Sequence, residues 1–108
     1  MTTADLPAPV RRAIDAATGG DTDGFLAVFG TTGSVDDWGR VFTGPDAIRG
    51  WSDAEFIGKQ VTLDVTGVQS EGDVVTVAAQ VGGKGFNGPS HFAFTVEGDQ
   101  VALMRITA

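Results

Sequence analysis

The chain has 108 residues, enough for one domain but not for two, so we expect a single domain over residues 1–108. Hydrophobic residues make up 42% of it and no apolar stretch has the length of a membrane span, which excludes a disordered chain and a membrane-spanning protein. With no cysteine, one histidine and a net charge of −7, the composition excludes disulfides and multi-ligand cysteine or histidine metal sites, and it argues against nucleic acid or anionic membranes as partners.

The N-terminal part of the chain predicts two helices. Residues 1–5 lack the basic and apolar stretches of a secretory signal, so we expect a cytoplasmic location. A first helix begins near Pro7 and Pro9, ends at the Gly19-Gly20 pair, and has an apolar face formed by Val10, Ala13, Ile14 and Ala17. Asp21 is a suitable N-cap for a second, short helix whose apolar face holds Phe25, Leu26, Val28 and Phe29.

A short extended segment and a third helix follow. Residues 34–38 are predicted to be extended, and Gly44-Pro45 is typical of a helix start, with proline at the first position. Residues 52–55 have the form of a capping box, which predicts a break there, and Gly58 is expected to end the helix. The predicted buried stripe of this third helix is Ala47, Ile48 and Trp51.

From residue 60 the apolar residues recur with a period of two, which predicts strands. Two tight-turn signals, at residues 71–73 and 97–99, divide these runs into two hairpins joined by a long glycine-rich loop over residues 82–89. Helices followed by a meander of strands predict an α+β fold in which three helices pack on an antiparallel sheet of four to five strands.

The loop contains a Gly83-Lys84-Gly85-Phe86-Asn87-Gly88 string that matches the dinucleotide-binding pattern G-x-G-x-x-G. That motif requires a strand before it and a helix after it, whereas here a strand follows. We therefore interpret the string as a mobile hairpin loop and predict no cofactor.

Asp36 and Asp37 are open to three interpretations: a metal pair, a catalytic carboxylate or surface charge. Adjacent residues of a strand point to opposite faces, so the two carboxylates cannot easily share one ion. If one of them points inward, Trp38, Phe25 and Phe29 would surround it with apolar groups, an environment that suits a general base.

Two further polar residues lie in the strand that contains the phenylalanines. With Phe92 and Phe94 facing the core, His91 faces the other side of the sheet, where it suits an interface or solvent. Ser90 faces inward and is able to donate a hydrogen bond into a cavity. The aromatic residues form either a core or the lining of a pocket, and the sequence pattern alone does not distinguish these two uses. The residues concerned are Phe25, Phe29, Trp51, Phe56, Phe92 and Phe94.

The chain resembles the ketosteroid-isomerase-like (nuclear-transport-factor-2-like) superfamily, which includes the SnoaL-like polyketide cyclases. The resemblance covers nearly the whole chain and rests on the order of elements and on the strings at residues 20–29, 35–37, 44–51, 91–94 and 101–105. It implies a cone-shaped roll, and it is specific for the fold and weak for function, because this fold hosts several isomerases, cyclases, hydrolases, dehydratases and non-catalytic binding modules.

The resemblance implies roles for three positions. The catalytic base of ketosteroid isomerases falls on Asp37, and their two oxyanion-hole donors fall on Ala13 and Ser90. Alanine has no donor and serine is a weaker one, while an oxyanion hole typically contributes several kcal/mol, so true ketosteroid isomerase activity is not expected. Trp38 or Ser90 would have to supply the missing hydrogen bond.

These observations support three hypotheses. The first is a binding module for a small apolar ligand, which Asp37 and Ser90 orient inside an apolar cone; the predicted lining is Phe25, Phe29, Trp38, Trp51, Phe56, Phe92, Phe94, Met104 and Ile106. The second is an isomerase- or cyclase-type enzyme without metal, in which Asp37 is the general base next to a carbonyl and Ser90 assists. The third is a homodimerisation module without an open pocket. The resemblance implies a homodimer through the outer sheet face, which carries His91, Ala93 and Thr95.

Overall fold

The helices come first in the chain, as predicted. The computed structural model describes residues 6–108, and the segment Met1–Asp5, on which the expected location rested, lies outside the described residues. Helix α1 spans Ala8–Gly19, α2 spans Thr22–Phe29 and α3 spans Pro45–Glu55, followed by a 3₁₀ turn over Ile57–Lys59. No helix in this part of the chain has both the length and the apolar character that crossing a membrane requires.

The predicted signals at the ends of α1 and α2 are confirmed. The predicted apolar face of α1 is buried, and the helix stops at Gly20, whose φ of 73° places it in the left-handed region that glycine tolerates best. The Asp21 side chain accepts a hydrogen bond from the Gly24 N–H group at 2.9 Å and so caps α2. These local bonds separate the two helices at the Gly20–Asp21 junction.

Helix α3 differs from the prediction in three details. The predicted break at Ser52 is wrong, because Ser52 is fully buried within a continuous helix and its Oγ atom accepts from the Ile57 N–H group beyond the helix end. The helix ends at Glu55, three residues before Gly58. Since Ser52 lies one turn after Ile48, the buried stripe runs through Ile48, Trp51 and Ser52, which leaves Ala47 exposed.

The strands form one sheet with the order β2-β1-β6-β5-β4-β3. Their bounds are β1 Ser34–Asp37, β2 Arg40–Thr43, β3 Thr62–Glu71, β4 Val74–Gly82, β5 Gly88–Glu97 and β6 Gln100–Thr107. The α+β fold class is confirmed, and the sheet has one strand more than expected, since β2 adds a short edge. All neighbours are antiparallel except β1 and β6, which run parallel. This pairing places residues 34–37 beside residues 103–106.

Bulges curve the sheet around the helices. The register shifts between Val65 and Gly67 in β3, and between Thr95 and Val96 in β5. The concave face then supplies one wall of a hydrophobic core, and the three helices supply the other. Within β4 the inward positions alternate as predicted: Val75, Val77, Ala79 and Val81 are buried. The helices do not close the whole concave face, and a cavity remains at one end.

Candidate functional site

A cavity of about 390 Å³ lies between α3, the β1–β2 hairpin and the concave face of the sheet. Trp51 and Glu55 of α3 form one side, with Phe56 just after the helix. The sheet contributes Val81, Ser90, Phe92 and Ile106, and Val61 precedes β3. Apolar side chains thus form much of the wall, and three of the charged ones, Asp37, Arg40 and Glu55, lie together beside the β1–β2 hairpin, a pattern typical of small-molecule pockets.

Asp37 lies at the end of β1 and lines the cavity. Its Oδ2 atom accepts a hydrogen bond from the indole Nε1–H group of Trp51 at 3.0 Å and a second one from the Arg40 guanidinium. The side chain is 14% exposed. Among the described residues both side-chain hydrogen bonds end on Oδ2, so Oδ1 is the oxygen that a ligand is able to use.

Arg40 joins Asp37 to α3. Its guanidinium donates to both carboxylate oxygens of Glu55, at 2.9 and 2.7 Å, in addition to its bond with Asp37. The hydrogen bond from Arg40 holds the pKa of Glu55 below its ordinary value of 4.5, and the bonds to Glu55 and Asp37 raise the pKa of Arg40. Arg40 also lies over the Phe42 ring, 5.7 Å from its centroid. The pair of ion bridges fixes the β1–β2 hairpin against the helix.

Asp36 faces the opposite side of the sheet from Asp37, as the alternation of strand residues requires. Its carboxylate accepts from the Gly39 N–H group at 2.8 Å and from Nε of Arg105 at 3.3 Å. The metal-pair interpretation therefore has no geometric support. Within residues 6–108 there is no group of three or more histidine, cysteine or acidic side chains placed to hold a metal ion.

The structure divides the predicted lining residues into two groups. Those that line the cavity are Trp38, Trp51, Phe56, Phe92 and Ile106. Those outside its lining are at most 2% exposed and belong to the closed core: Phe25, Phe29, Phe94 and Met104. Ring contacts connect the groups, because Phe56 packs against both Phe25, at 5.5 Å, and Trp51, at 4.8 Å between centroids. The expected contribution of these four residues to the lining is therefore corrected. Helix α2 packs against α1, α3 and β6 and so buries its own Phe25 and Phe29, while Phe94 and Met104 are paired on β5 and β6 in the closed part of the core.

The hydrogen-bond donors expected from sequence have other positions or partners. Ser90 lines the cavity, yet its hydroxyl donates to the Thr107 carbonyl oxygen at 2.8 Å. Trp38 is 64% exposed at the β1–β2 turn, and the indole that donates to Asp37 is that of Trp51 instead. Ala13 is buried outside the cavity lining, and His91 is on the exposed face, where Nδ1 lies 2.9 Å from the Ala108 carbonyl oxygen.

Sequence reasoning missed several lining residues. The polar ones are Arg40, Glu55 and Lys59. The others are Gly82 at the end of β4, Gly85 and Phe86 in the β4–β5 loop, and Val61 and Val81, which belong to the runs predicted as strands. Arg40 had only a weak signal: glycine at the second central position suits a two-residue hairpin turn, and such a turn pairs Arg40 with Asp37. The loop is held in place by Asn87, whose amide donates to the Gly83 carbonyl, and by the Lys84 N–H bond to Lys59.

The SnoaL-like domain model matches residues 10–104 of the chain. No curated protein matches it. Among solved structures, a proposed polyketide cyclase from Sinorhizobium meliloti is 27% identical, with a TM-score of 0.87, and the match covers 99% of this chain and 100% of that one. The resemblance inferred from sequence is thereby confirmed.

Two further solved structures contain small molecules. A hypothetical protein with a ketosteroid isomerase-like fold from Catenulispora acidiphila, in complex with trimethylamine, is 26% identical, with a TM-score of 0.79 and coverage of 94% of this chain and 85% of that one. A Mycobacterium tuberculosis protein in complex with estradiol-17β-hemisuccinate is 14% identical, with a TM-score of 0.76 and coverage of 93% and 90%. The second likeness shows the fold alone.

Proposed function

Because the chain belongs to the SnoaL-like domain family, we propose that it binds a small, flat, mainly apolar ligand in the cavity beside Asp37. The observation that carries this proposal is the position of the Asp37 carboxylate, which is only 14% exposed and lines a cavity whose wall also contains many apolar side chains. Trp51 and Arg40 hold Oδ2 in place, and Oδ1 is left to accept a hydrogen bond from a ligand hydroxyl or N–H group. In such a site the apolar contacts provide most of the binding, and the polar group determines the orientation of the ligand.

The size and charge of the cavity define the ligand further. A volume of about 390 Å³ is within the range of small-molecule sites, which begins at roughly 300 Å³. The charged lining residues are two carboxylates, Asp37 and Glu55, and two cations, Arg40 and Lys59, so their formal charges cancel. A neutral ligand with one donor group is the best match, since a net charge on it would meet no excess of opposite charge. The complexes with trimethylamine and with the estradiol ester support small-molecule binding as a use of this fold.

A matched pair of variants tests the proposal. Asp37→Asn changes the carboxylate in the cavity, and Asp36→Asn makes the same change on the opposite face. A panel of neutral flat phenols, ketones and polyketide-like aromatics is screened by thermal shift. A ligand at about 100 times its Kd stabilises the fold by ~2.7 kcal/mol, which raises Tm by about 10 °C in a domain of this size.

We expect Asp37→Asn to weaken binding of a hit about tenfold or more, and Asp36→Asn to leave it unchanged. Equal effects of the two substitutions would contradict the role of Asp37. A wild-type protein that no compound stabilises would contradict ligand binding itself and would favour the dimerisation module.

An enzyme that uses Asp37 as general base is the second candidate. The observation in its favour is the likeness to the proposed polyketide cyclase over the whole chain. Oδ1 would take a proton from carbon next to a carbonyl. The resulting negative charge would need a donor from Ser90 or Arg40, and each would first have to exchange a present bond, Ser90 with the Thr107 carbonyl and Arg40 with a carboxylate. Turnover of an enolisable ketone that falls at least about 100-fold in Asp37→Asn would establish this candidate.

A homodimer through the outer sheet face is compatible with either candidate. Ala78, Ala93 and Thr95 of that face are half-buried and small, which suits close packing of two sheets. Sedimentation velocity distinguishes a dimer from a monomer, and Ala93→Arg is expected to dissociate the dimer without loss of fold. The cytoplasmic location expected from the sequence stays a prediction.

A further inference from the structure

Two exposed aromatic side chains lie at the edge of the cavity. Of the described residues, three large hydrophobic ones are exposed: Trp38 at 64%, Phe86 at 59% and Val41 at 61%. Trp38 and Phe86 both line the cavity, whereas Val41 does not. They come from separate segments, Trp38 from the β1–β2 turn and Phe86 from the β4–β5 loop. A single exposed apolar residue is common on protein surfaces, whereas apolar surface that two separate segments place at one cavity is typical of a ligand-binding groove.

The backbone at Trp38 does not favour tryptophan. Asp37 pairs with Arg40 across a two-residue turn in which Trp38 has a φ of 56° and Gly39 a φ of 91°. Positive φ at both central residues defines a type I′ turn, for which Asn-Gly is strongly preferred. A bulky residue other than glycine at positive φ is uncommon, and such strain is concentrated at functional sites. Stability of the turn therefore does not explain the tryptophan.

Packing does not explain the two side chains either. The ring-to-ring contacts within residues 6–108 connect Phe25, Phe29, Phe42, Trp51, Phe56 and Phe92, and none involves Trp38 or Phe86. The Phe86 ring lies against Gly88, where a Cβ atom would come within 3.2 Å of it. Its loop is anchored through Asn87. Both rings therefore have exposed aromatic surface and no partner ring among the described residues.

We propose that Trp38 and Phe86 form an aromatic rim that selects a ligand with a planar aromatic ring system over a saturated one of the same size. This inference rests on the proposed function, because it assigns the ligand class of the same cavity. Asp37 accepts from the donor group of the ligand inside the cavity, and the two rim rings contact its ring system at the mouth. Contacts between aromatic rings contribute about 0.5–1.5 kcal/mol beyond the buried area, which is a factor of about 2–12 in affinity.

A pair of ligands, compared between wild type and variants of the rim, isolates this contribution. The phenolic hydroxyl is also the stronger donor to Asp37, so only the part of the preference that is lost with a rim ring belongs to the rim. 2-Naphthol and decahydro-2-naphthol share the carbon skeleton and the hydroxyl group, and only the first has aromatic faces. Affinities are measured by ¹⁵N NMR titration, in which the indole signals of Trp38 and Trp51 report on the rim and the interior separately. We expect wild type to bind 2-naphthol about five- to tenfold more tightly, with a shift of the Trp38 indole signal.

Three variants complete the test. Trp38→Asn creates the preferred turn pair, so we expect Tm to rise by about 2–4 °C while the preference for 2-naphthol falls about two- to threefold. Phe86→Leu keeps an apolar side chain and is expected to reduce the same preference. Val41→Thr, on the exposed residue outside the cavity, is expected to leave it unchanged.

The outcomes separate the two proposals. Equal binding of both ligands by wild type, or a preference that survives both rim substitutions, would overturn the aromatic rim and leave the cavity as a binding site. Absence of binding of either ligand to wild type would overturn the proposed function for this ligand class and the rim with it. A rise in Tm together with loss of preference in Trp38→Asn would support the rim, because a purely structural tryptophan predicts the opposite change in stability.

Discussion

Trp51 has two roles in the structure, and replacement by phenylalanine separates them. The side chain is 4% exposed and packs against Phe56 and Phe42, with centroids 4.8 and 6.1 Å away. Its Nε1–H group also donates to Asp37 at 3.0 Å. Trp51→Phe keeps an aromatic ring in the stack but removes the donor, so the variant measures how strongly the interior of the protein holds the cavity carboxylate.

The expected loss of stability has two parts. A hydrogen bond to a charged group contributes ~1.5–3 kcal/mol, and the lower end applies because Arg40 still donates to the same oxygen of Asp37. The smaller ring leaves a space of about 40 Å³, which at ~24 cal/mol per Å³ costs about 1 kcal/mol. The sum of about 2.5 kcal/mol corresponds to a fall in Tm of about 10–15 °C for a domain of this size.

Urea unfolding followed by circular dichroism gives the free energy of unfolding. An unchanged m-value shows that wild type and variant expose the same surface when they unfold. A double-mutant cycle with Asp37→Asn then isolates the contact from the packing, and we expect the two residues to couple by about 1 kcal/mol. A loss below about 1 kcal/mol in Trp51→Phe, with coupling under about 0.3 kcal/mol, would refute the assignment, since packing alone would then account for the effect.

Other predictions concern the charge pair and the glycines. Arg40 lowers the pKa of Glu55 in the folded protein, so the pair stabilises the fold above pH 4.5 and this contribution is lost as the pH falls further. Glu55→Gln should therefore be less stable than wild type at neutral pH, and the difference should shrink in acid. Tm measured as a function of pH for both proteins checks this. Gly50→Ala, at an exposed position of α3 with open space around the added Cβ atom, should stabilise by ~0.5–1 kcal/mol in urea unfolding. Gly33→Ala should destabilise by more than that amount in the same assay, because the added Cβ atom would lie 2.7 Å from the Phe29 carbonyl oxygen; a stable variant would show that the backbone there shifts freely.

Local patterns in the sequence were sufficient for most of the secondary structure. The end of α1 at Gly20 and the start of α2 after Asp21 follow from the conformation and hydrogen bonding of those two residues themselves. The hairpin turns at Gly72 and Gly98 likewise need positive φ, which their sequence neighbours indicate. Alternation along β1 placed Asp36 and Asp37 on opposite faces without knowledge of any other element. Such features are predictable because the interacting groups are a few residues apart.

The sequence also contained signals that were open to more than one interpretation. The Ser52–Glu55 string has the form of a capping box, but Ser52 is buried against the fold and the helix continues through it. The aromatic residues divided into core and cavity lining only when α2 packed against β6 and α3 bordered the cavity. Phe25 lies in the middle of α2 and Phe56 directly follows α3, and their different environments depend on neighbours distant in the chain.

The sequence by itself determined the order of the elements, the α+β class and the family resemblance, because periodicity, caps and turns act over short separations. It also proposed Asp37 as the carboxylate of a site, but only the tertiary structure decided which side chains surround it. The parallel pairing of β1 with β6 positions Asp37, and α3 brings Trp51 and Glu55 to it over 14 and 18 residues of chain. Arg40 then bridges the two carboxylates from the edge strand. Contacts of this kind depend on how whole elements pack, and no short pattern in the sequence encodes that packing.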